Sequence, residues 1–311
     1  MRGDARERRG GVRARHSRPS IPDDASDDLF SAELLAILGR LDLLARRARV
    51  LGTGERAGRE RGGRVEFREH RDYASGDDLR YVDWNAYGRL ERLFVKEFAR
   101  EEEVRLRVVL DASASMGLPG KWRRAAQLAA ALAYVALAGG HTVRLSVAGA
   151  GPAAGEWARG EAAFRGLLDR LRSVRPAGDA TPAAAIRAEP GGRRDRVVVI
   201  SDFWETDATR RALGVAAERG AEVTAIQLFA PDEAAPAAAG PSRLVDAESG
   251  ELASLDIDDA AVAAYGRRLE AFLDGWRSFA ARRGIRWVVP NPEAPLEETL
   301  LESLREGGLL G

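Results

Sequence analysis

From residue 104 onward, short apolar runs alternate with stretches of helical periodicity. The runs at 105–111, 142–148, 196–202 and 222–229 have the length and composition of strands. The run at 196–202 is apolar almost throughout, which is typical of a strand buried on both faces. The intervening stretches are long enough for helical crossovers. This order predicts an α/β fold, with a mainly parallel sheet and helices on both faces.

The same periodicity predicts the other elements of this region. Helices are expected over 121–137, 162–172, 208–219, 259–283 and 296–304. Alanine and proline dominate 232–241, which we interpret as a linker. Residues 243–253 resemble a hairpin that turns at 248–250, and a last strand is predicted over 285–289. We therefore assign residues 104–311 to one domain.

The preceding part of the chain has a different composition. Residues 1–28 contain many arginines and no apolar stretch, so we predict a disordered leader that is not a secretory signal. Apolar residues recur at helical spacing over 29–50. Charged residues with interleaved aromatics follow over 65–103. Residues 29–103 are therefore predicted to form a helix and a small β-rich segment.

The composition of this 311-residue chain excludes several kinds of function. The formal net charge is zero, so no overall field favours nucleic acid or an anionic membrane. The absence of cysteine excludes disulfides, thiolate metal sites and a cysteine nucleophile. No run of about 18 apolar residues is present, so we expect no membrane span and a cytoplasmic protein.

A carboxylate ends each of two predicted strands. Asp111 ends the first run and is followed at steps of two by Ser113 and Ser115, and Asp202 ends the run at 196–202. If the two strands are neighbours, both carboxylates face the crevice at the carboxyl edge of the sheet, where ligands bind in open α/β folds. At about 5 Å and an effective dielectric of about 20, they would repel by roughly 3 kcal/mol. A divalent cation relieves that repulsion, and so does an arginine.

Carboxylate and hydroxyl oxygens together suit Mg²⁺ or Mn²⁺ better than Zn²⁺. Thr181, in a loop that opens a short helix, would add a third hydroxyl. The predicted metal ligands are Asp111, Ser113, Ser115, Thr181 and Asp202, with one coordination position open. Taken alone, Asp-x-Ser-x-Ser is also typical of an Asx or Ser turn that caps the next helix. Asp202 and the resemblance described next favour the metal site.

This pattern resembles the metal-ion-dependent adhesion site of von Willebrand factor A domains, which have a Rossmann-like fold. Upstream, the stretches 63–67, 71–84 and 93–97 resemble the signature of the bacterial domain-of-unknown-function 58 family. Proteins of that family join such a segment to an A-domain-like module. Members often carry two N-terminal membrane helices, and this chain resembles the short soluble subset. The chain departs from the family pattern before Thr181, where Asp-Ala-Thr replaces Gly-Gly-Thr.

The upstream signature contains a dense group of charged and aromatic residues. Its members are Arg71, Tyr73, Gly76, Asp77, Asp78, Arg80, Asp83 and Trp84. One interpretation is a structural network, in which the arginines pair with neighbouring aspartates while Tyr73 and Trp84 pack on the sheet. The other interpretation is a surface that binds a partner.

The resemblance implies a non-enzymatic module in which the open metal position accepts a carboxylate from a partner protein. Genes of the family commonly neighbour MoxR-type AAA+ ATPases, so it also implies such an ATPase as the partner, in the maturation or remodelling of other proteins. The competing interpretation is a metal-dependent phosphohydrolase on an α/β scaffold. Phosphatases of the aspartyl-phosphate type need a second aspartate two residues after the nucleophile, and Ser113 stands there.

Overall fold

The computed structural model describes most of the chain from residue 65 onward. The described residues are 29–30, 34, 36–40, 65–74, 77, 82–90, 92–100, 104–149, 155–193, 195–204, 207–237 and 240–306. The predicted leader over 1–28 lies outside them. Most of the helix predicted over 29–50 lies outside them as well, and residues 34 and 36–40 are helical.

From residue 104 onward the described strands and helices follow the predicted order, with additional short elements between them. The strands are β1 (Val65–Asp72), β2 (Phe94–Arg100), β3 (Arg105–Asp111), β4 (Thr142–Ala148), β5 (Ala158–Arg159), β6 (Asp195–Ser201), β7 (Glu222–Gln227), β8 (Gly240–Val245), β9 (Leu252–Ile257) and β10 (Arg286–Val288). The helices are α1 (Trp84–Leu90), α2 (Lys121–Ala138), α3 (Phe164–Ser173), α4 (Pro182–Ala188), α5 (Asp207–Glu218), α6 (Pro231–Ala234), α7 (Asp259–Ala281) and α8 (Leu296–Glu306).

Six of the described strands form the central sheet, in the order β10-β7-β6-β3-β4-β5. The pairs from β10 to β4 are parallel, and only β5, at the edge, is antiparallel to its neighbour. The predicted α/β fold with a mainly parallel sheet is confirmed. Because β3 and β6 are neighbours, the chain segments that follow them leave the same edge of the sheet at adjacent positions.

Side chains that alternate along the central strands belong to two apolar cores, one on each face of the sheet. On one face, Val108 and Val198 pack with the alanine-rich helix α2. On the other face, Val109 and Val199 pack with α4, α5 and Trp276 of α7. The continuous apolar runs in the sequence are therefore explained by burial on both sides.

Two connecting segments were predicted from the sequence, a hairpin and a linker. The hairpin predicted at 243–253 is confirmed, since β8 and β9 are antiparallel and Val245 pairs with Leu252 across the turn. The linker predicted over 232–241 is wrong at both ends, because Pro231–Ala234 forms the short helix α6 and residues 240–241 begin β8. Proline is well suited to the first position of a helix, where no backbone N–H is needed, and the Glu233 carboxylate accepts a hydrogen bond from the Ala230 N–H at 2.7 Å.

The segment over 65–103 forms a small antiparallel pair, β1 with β2, and the helix α1. The strands agree with the predicted β-rich segment, and α1 was not predicted. Over the part of the chain that the structure describes, every helix is too short or too polar to cross a bilayer.

Candidate metal centre

The predicted Asp-x-Ser-x-Ser motif forms a buried turn at the end of β3. Asp111 is the last residue of the strand, and its Oδ1 accepts a hydrogen bond from the Ser113 N–H at 2.9 Å. The Ser113 and Ser115 hydroxyls are hydrogen-bonded to each other, with their oxygens 3.0 Å apart. Ser113 precedes the 3-10 turn Ala114–Gly117, but its hydroxyl does not cap that turn. The motif therefore forms an Asx turn, as one of the two interpretations of the sequence predicted. In this turn the two serine hydroxyls face each other.

The residues after β6 complete this buried polar group. The Ser201 hydroxyl donates to Asp111 Oδ2 at 2.5 Å and accepts from the Phe203 N–H at 2.9 Å. The Gln227 side-chain N–H donates to the Asp202 carbonyl at 2.8 Å. Phe203 is buried and has a φ of 58°, a left-handed conformation that is rare for an aromatic residue. Such strain persists where the surroundings hold the backbone firmly, as they do beside Asp202.

Thr181 reaches the same cleft from the loop before α4. Two backbone hydrogen bonds join that loop to the Asp111 turn, from Ala177 N–H to the Ala112 carbonyl and from Ala114 N–H to the Gly178 carbonyl, both at 2.9 Å. Thr181 is the residue before the helix, but its hydroxyl makes no capping hydrogen bond. The structure thus brings all five predicted ligands, Asp111, Ser113, Ser115, Thr181 and Asp202, to one place. Their role as ligands stays a prediction.

A buried lysine, which the sequence analysis did not identify as a site residue, lies against this group. Lys121, the first residue of α2, has a fully buried side chain. Its ammonium is 2.7 Å from Asp202 Oδ2 and 2.9 Å from Glu233 Oε2. The composition of the chain could have indicated this residue, because Lys121 is one of only two lysines in an arginine-rich sequence. An ammonium is a compact charge that a guanidinium does not replace in a small pocket.

The cleft above these residues has a volume of about 250 Å³. Four carboxylate side chains line it: Asp111, Asp179, Asp202 and Glu248. Lys121 compensates part of this charge through its ion pair with Asp202. Glu248 comes from the turn between β8 and β9, far away in sequence, and was also not identified from the sequence. The excess of negative charge favours a cation in the cleft.

Burial and like charge shift the acid–base behaviour of two of these groups. Burial raises the pKa of Asp111, hydrogen bonds from Ser201 and Ser113 oppose the rise, and the charge of Asp202 adds to it, which together place the pKa at about 6. Burial also raises the pKa of Glu248, opposed by a hydrogen bond with Ser115. Both carboxylates are therefore held where their charge is costly without a neighbouring cation.

The donor set fits a small hard cation. Adjacent ligands on an octahedral Mg²⁺, each about 2.1 Å from the ion, are about 3.0 Å apart. The Ser113 and Ser115 hydroxyl oxygens have that separation. Among the described residues, Asp202 Oδ1 accepts one long hydrogen bond, 3.4 Å, from the Trp204 N–H, so this oxygen retains acceptor capacity. Among the described residues there is no cluster of three or more His, Cys, Asp or Glu that would hold an ion by itself. The hydroxyls are therefore essential to the fit.

The upstream signature cluster forms a structural network where it is described. Arg71 forms a bidentate ion pair with Asp77, with nitrogen–oxygen distances of 2.7 and 2.8 Å. This pair and the Ala74 N–H lower the pKa of Asp77 to about 2. The Asp83 carboxylate caps α1 by accepting from the Asn85 and Ala86 N–H groups. Tyr73 is half-buried.

Trp84 does not pack on the sheet, so that part of the prediction is wrong. Its side chain is 58% exposed, because it lies on α1, a helix with no buried residue. The ring instead contacts Tyr87 edge-on, with centroids 6.2 Å apart. The remaining members of the cluster, Gly76, Asp78 and Arg80, lie outside the described residues.

Comparison with known proteins gives a family and a set of uncharacterized relatives. The family model described as "Protein of unknown function DUF58" matches residues 69–271. The chain is 28% identical over 251 residues to "Uncharacterized protein Rv1480" of Mycobacterium tuberculosis, covering 77% of this chain and 78% of the relative. "Uncharacterized protein Mb1516" of Mycobacterium bovis matches with the same values.

Two solved structures are similar over 66% of this chain and 98% of their own. One is the conserved hypothetical protein BatB from Bacteroides thetaiotaomicron, with 14% identity and a TM-score of 0.41. The other is an aerotolerance-related membrane protein from Bacteroides fragilis, with 18% identity and a TM-score of 0.42.

Proposed function

The chain belongs to the family described as Protein of unknown function DUF58, and from its own site we propose that it is a divalent-metal-dependent protein-binding module without enzymatic activity. The ion is Mg²⁺ or Mn²⁺. Its ligands are drawn from Asp111, Ser113, Ser115, Thr181 and Asp202.

One observation carries this proposal. The Ser113 and Ser115 hydroxyls lie 3.0 Å apart beside two buried carboxylates that follow neighbouring parallel strands. Each of these groups offers oxygen, and the hydroxyl separation equals the distance between adjacent ligands of a small octahedral ion. The resemblance to the adhesion site of von Willebrand factor A domains rests on the same residues.

The arrangement favours binding over bond chemistry. A bound divalent ion supplies a positive charge with an open coordination position, which an acidic side chain of a partner fills. The residue two positions after Asp111 is Ser113, whose hydroxyl contacts Ser115. An aspartyl-phosphate phosphatase would need a carboxylic acid there to protonate its leaving group.

The proposed partner is a MoxR-type AAA+ ATPase, in the maturation or remodelling of other proteins in the cytoplasm. This part of the proposal follows from the family resemblance and from the gene neighbourhood of that family. The chemistry of the site itself requires only that the partner protein present a carboxylate to the ion.

The test is calorimetric titration of Mn²⁺ into the wild type, Asp111→Asn and Ser113→Ala. We expect a single Mn²⁺ site, weakened at least about tenfold by Asp111→Asn and less by Ser113→Ala, because ligand charge dominates affinity for hard cations. Asp195→Asn is the matched control, since Asp195 is a buried carboxylate at the opposite end of β6. Circular dichroism checks that each variant is folded.

Two results would overturn the proposal. Equal Mn²⁺ affinity of the wild type and Asp111→Asn would exclude this site. Hydrolysis of a generic phosphoester by the wild type, abolished by Asp111→Asn, would replace the binding module with an enzyme.

A further inference from the structure

The hairpin β8–β9 projects towards the candidate metal centre. Within the described part of the chain its two strands pair only with each other. Its turn brings Glu248 into the cleft that Asp111, Ser113 and Thr181 also line. The Asp202 carboxylate lines this cleft as well, so Glu248 shares it with both buried carboxylates. A carboxylate of the chain itself therefore lies where the proposed function expects one from a partner.

The turn holds Glu248 in this position. Asp246 Oδ1 accepts hydrogen bonds from the Glu248 N–H at 3.0 Å, the Ser249 N–H at 2.7 Å and the Ser249 hydroxyl at 2.9 Å. Gly250 closes the turn with a φ of 72°, which glycine adopts without strain. The carboxylate is thus presented by an ordered turn.

The charges around Glu248 make this position unfavourable without a cation. Asp179 and Asp202 line the same cleft as Glu248, and Asp246 lies in the same turn, so all three act on it with like charge. Hydrophobic burial contributes little to fixing the position of the hairpin. Its large apolar side chains are each about half exposed: Leu244, Val245, Leu252 and Leu255. An ion bound by Ser113 and Ser115 would convert the repulsion into attraction.

We propose that Glu248 is an internal ligand of the metal centre, which takes the open coordination position and must be displaced before an acidic partner side chain binds. The hairpin is then a built-in competitor of the partner. This inference rests on the proposed metal-dependent function. It adds a residue and a mode of regulation to that function.

The test compares the wild type with Glu248→Gln and Glu251→Gln. Glu251 is on the same hairpin and does not line the cleft, so Glu251→Gln removes the same charge without touching the site. Mn²⁺ affinity is measured by calorimetry, and the water bound to Mn²⁺ is measured by water-proton relaxation. Glutarate is then titrated as a soluble mimic of an acidic side chain.

We expect Glu248→Gln to bind Mn²⁺ roughly tenfold more weakly, because one charged ligand is lost. Its bound Mn²⁺ should relax water protons more strongly, and glutarate should reverse that gain. The wild type and Glu251→Gln should show neither change. If the wild type binds Mn²⁺ and Glu248→Gln equals Glu251→Gln in affinity and relaxation, the internal ligand is excluded and the proposed function stands. If the wild type binds no Mn²⁺, the proposed function itself fails.

Discussion

Lys121 changes how the charge at the candidate site is balanced. The sequence pattern implied two carboxylates that repel each other, and an ion or an arginine to relieve them. In the structure a lysine provides part of that relief, because its buried ammonium contacts both Asp202 and Glu233. Asp202 is therefore partly neutralised within the chain, whereas the partners of Asp111 among the described residues are the hydrogen-bond donors Ser201 and Ser113. Asp111 is consequently the carboxylate whose charge depends most on a bound ion.

Replacing Lys121 by methionine should destabilise the metal-free protein strongly. The substitution leaves Asp202 buried beside Glu233 without a counter-charge, and breaking such a buried pair costs about 3–5 kcal/mol. Urea unfolding of the wild type and Lys121→Met measures the loss. The double variant Lys121→Met/Asp202→Asn should regain part of it, since the unpaired charge is then removed. A Lys121→Met variant as stable as the wild type would show that the ion pair does not support Asp202.

The sequence predicted those site residues whose positions depend on local spacing. Asp111, Ser113 and Ser115 lie within five residues of one another, and Asp202 ends a strand that is recognisable by its apolar composition. Lys121 and Glu248 approach the site through tertiary structure, and no local pattern carries that information. The same reasoning explains the error at Trp84, whose exposure depends on what α1 packs against.

At the scale of elements, the loop before α4 is the part of the site whose position the sequence predicts least well. Its sequence before Thr181 is Asp-Ala, where the resemblance implies Gly-Gly. The structure holds it by backbone hydrogen bonds to the Asp111 turn and by close packing against the loop after β4. A Cβ on Gly149 would lie 3.0 Å from the Ala180 Cβ, and Gly149 has a φ of 86°. Glycine at that position lets the two loops approach closely.

Gly149→Ala should therefore disturb the site beyond the strain of its own backbone. A left-handed alanine costs roughly 1–2 kcal/mol, and the new methyl group should also displace Ala180 and the adjacent Thr181. Gly140→Ala is the matched control, because Gly140 has a φ of 85° and open space around its Cβ position. We expect both variants to lose stability in urea and only Gly149→Ala to bind Mn²⁺ more weakly. Equal Mn²⁺ affinities would show that Thr181 is not a ligand or that its loop adapts.

The elements themselves were largely predictable because their signals are periodic and long. The predicted helices over 121–137 and 259–283 agree with Lys121–Ala138 and Asp259–Ala281 to within two residues at each end. Short elements carry too few residues for a period to appear. The two-residue strand β5 and the four-residue helix α6 were therefore missed. Strand order was also beyond the sequence, because it depends on which apolar faces meet.

For the whole molecule, the important feature is that the site lies outside the two cores. Both apolar cores flank the sheet, and the candidate ligands follow its carboxyl edge. Folding therefore depends on burial along β3, β6 and their helices, and an ion at the edge contributes little to it. The metal-free protein should keep its fold, so binding and stability are separable in an experiment.

This separation allows a direct test of the proposed partnership with a MoxR-type ATPase. Tagged protein should co-purify with the ATPase of the same organism in Mg²⁺ and much less in EDTA, while circular dichroism stays unchanged. Asp111→Asn is the appropriate variant, because Asp202 also pairs with Lys121 and its loss would disturb the fold. Asp195→Asn, at the other end of β6, should co-purify normally.

A complex that survives both EDTA and Asp111→Asn would contradict an ion-mediated contact even if the two proteins are partners. Because the carboxylate of the partner would bind directly to the ion, a real interface of this kind has to weaken when either the ion or Asp111 is removed.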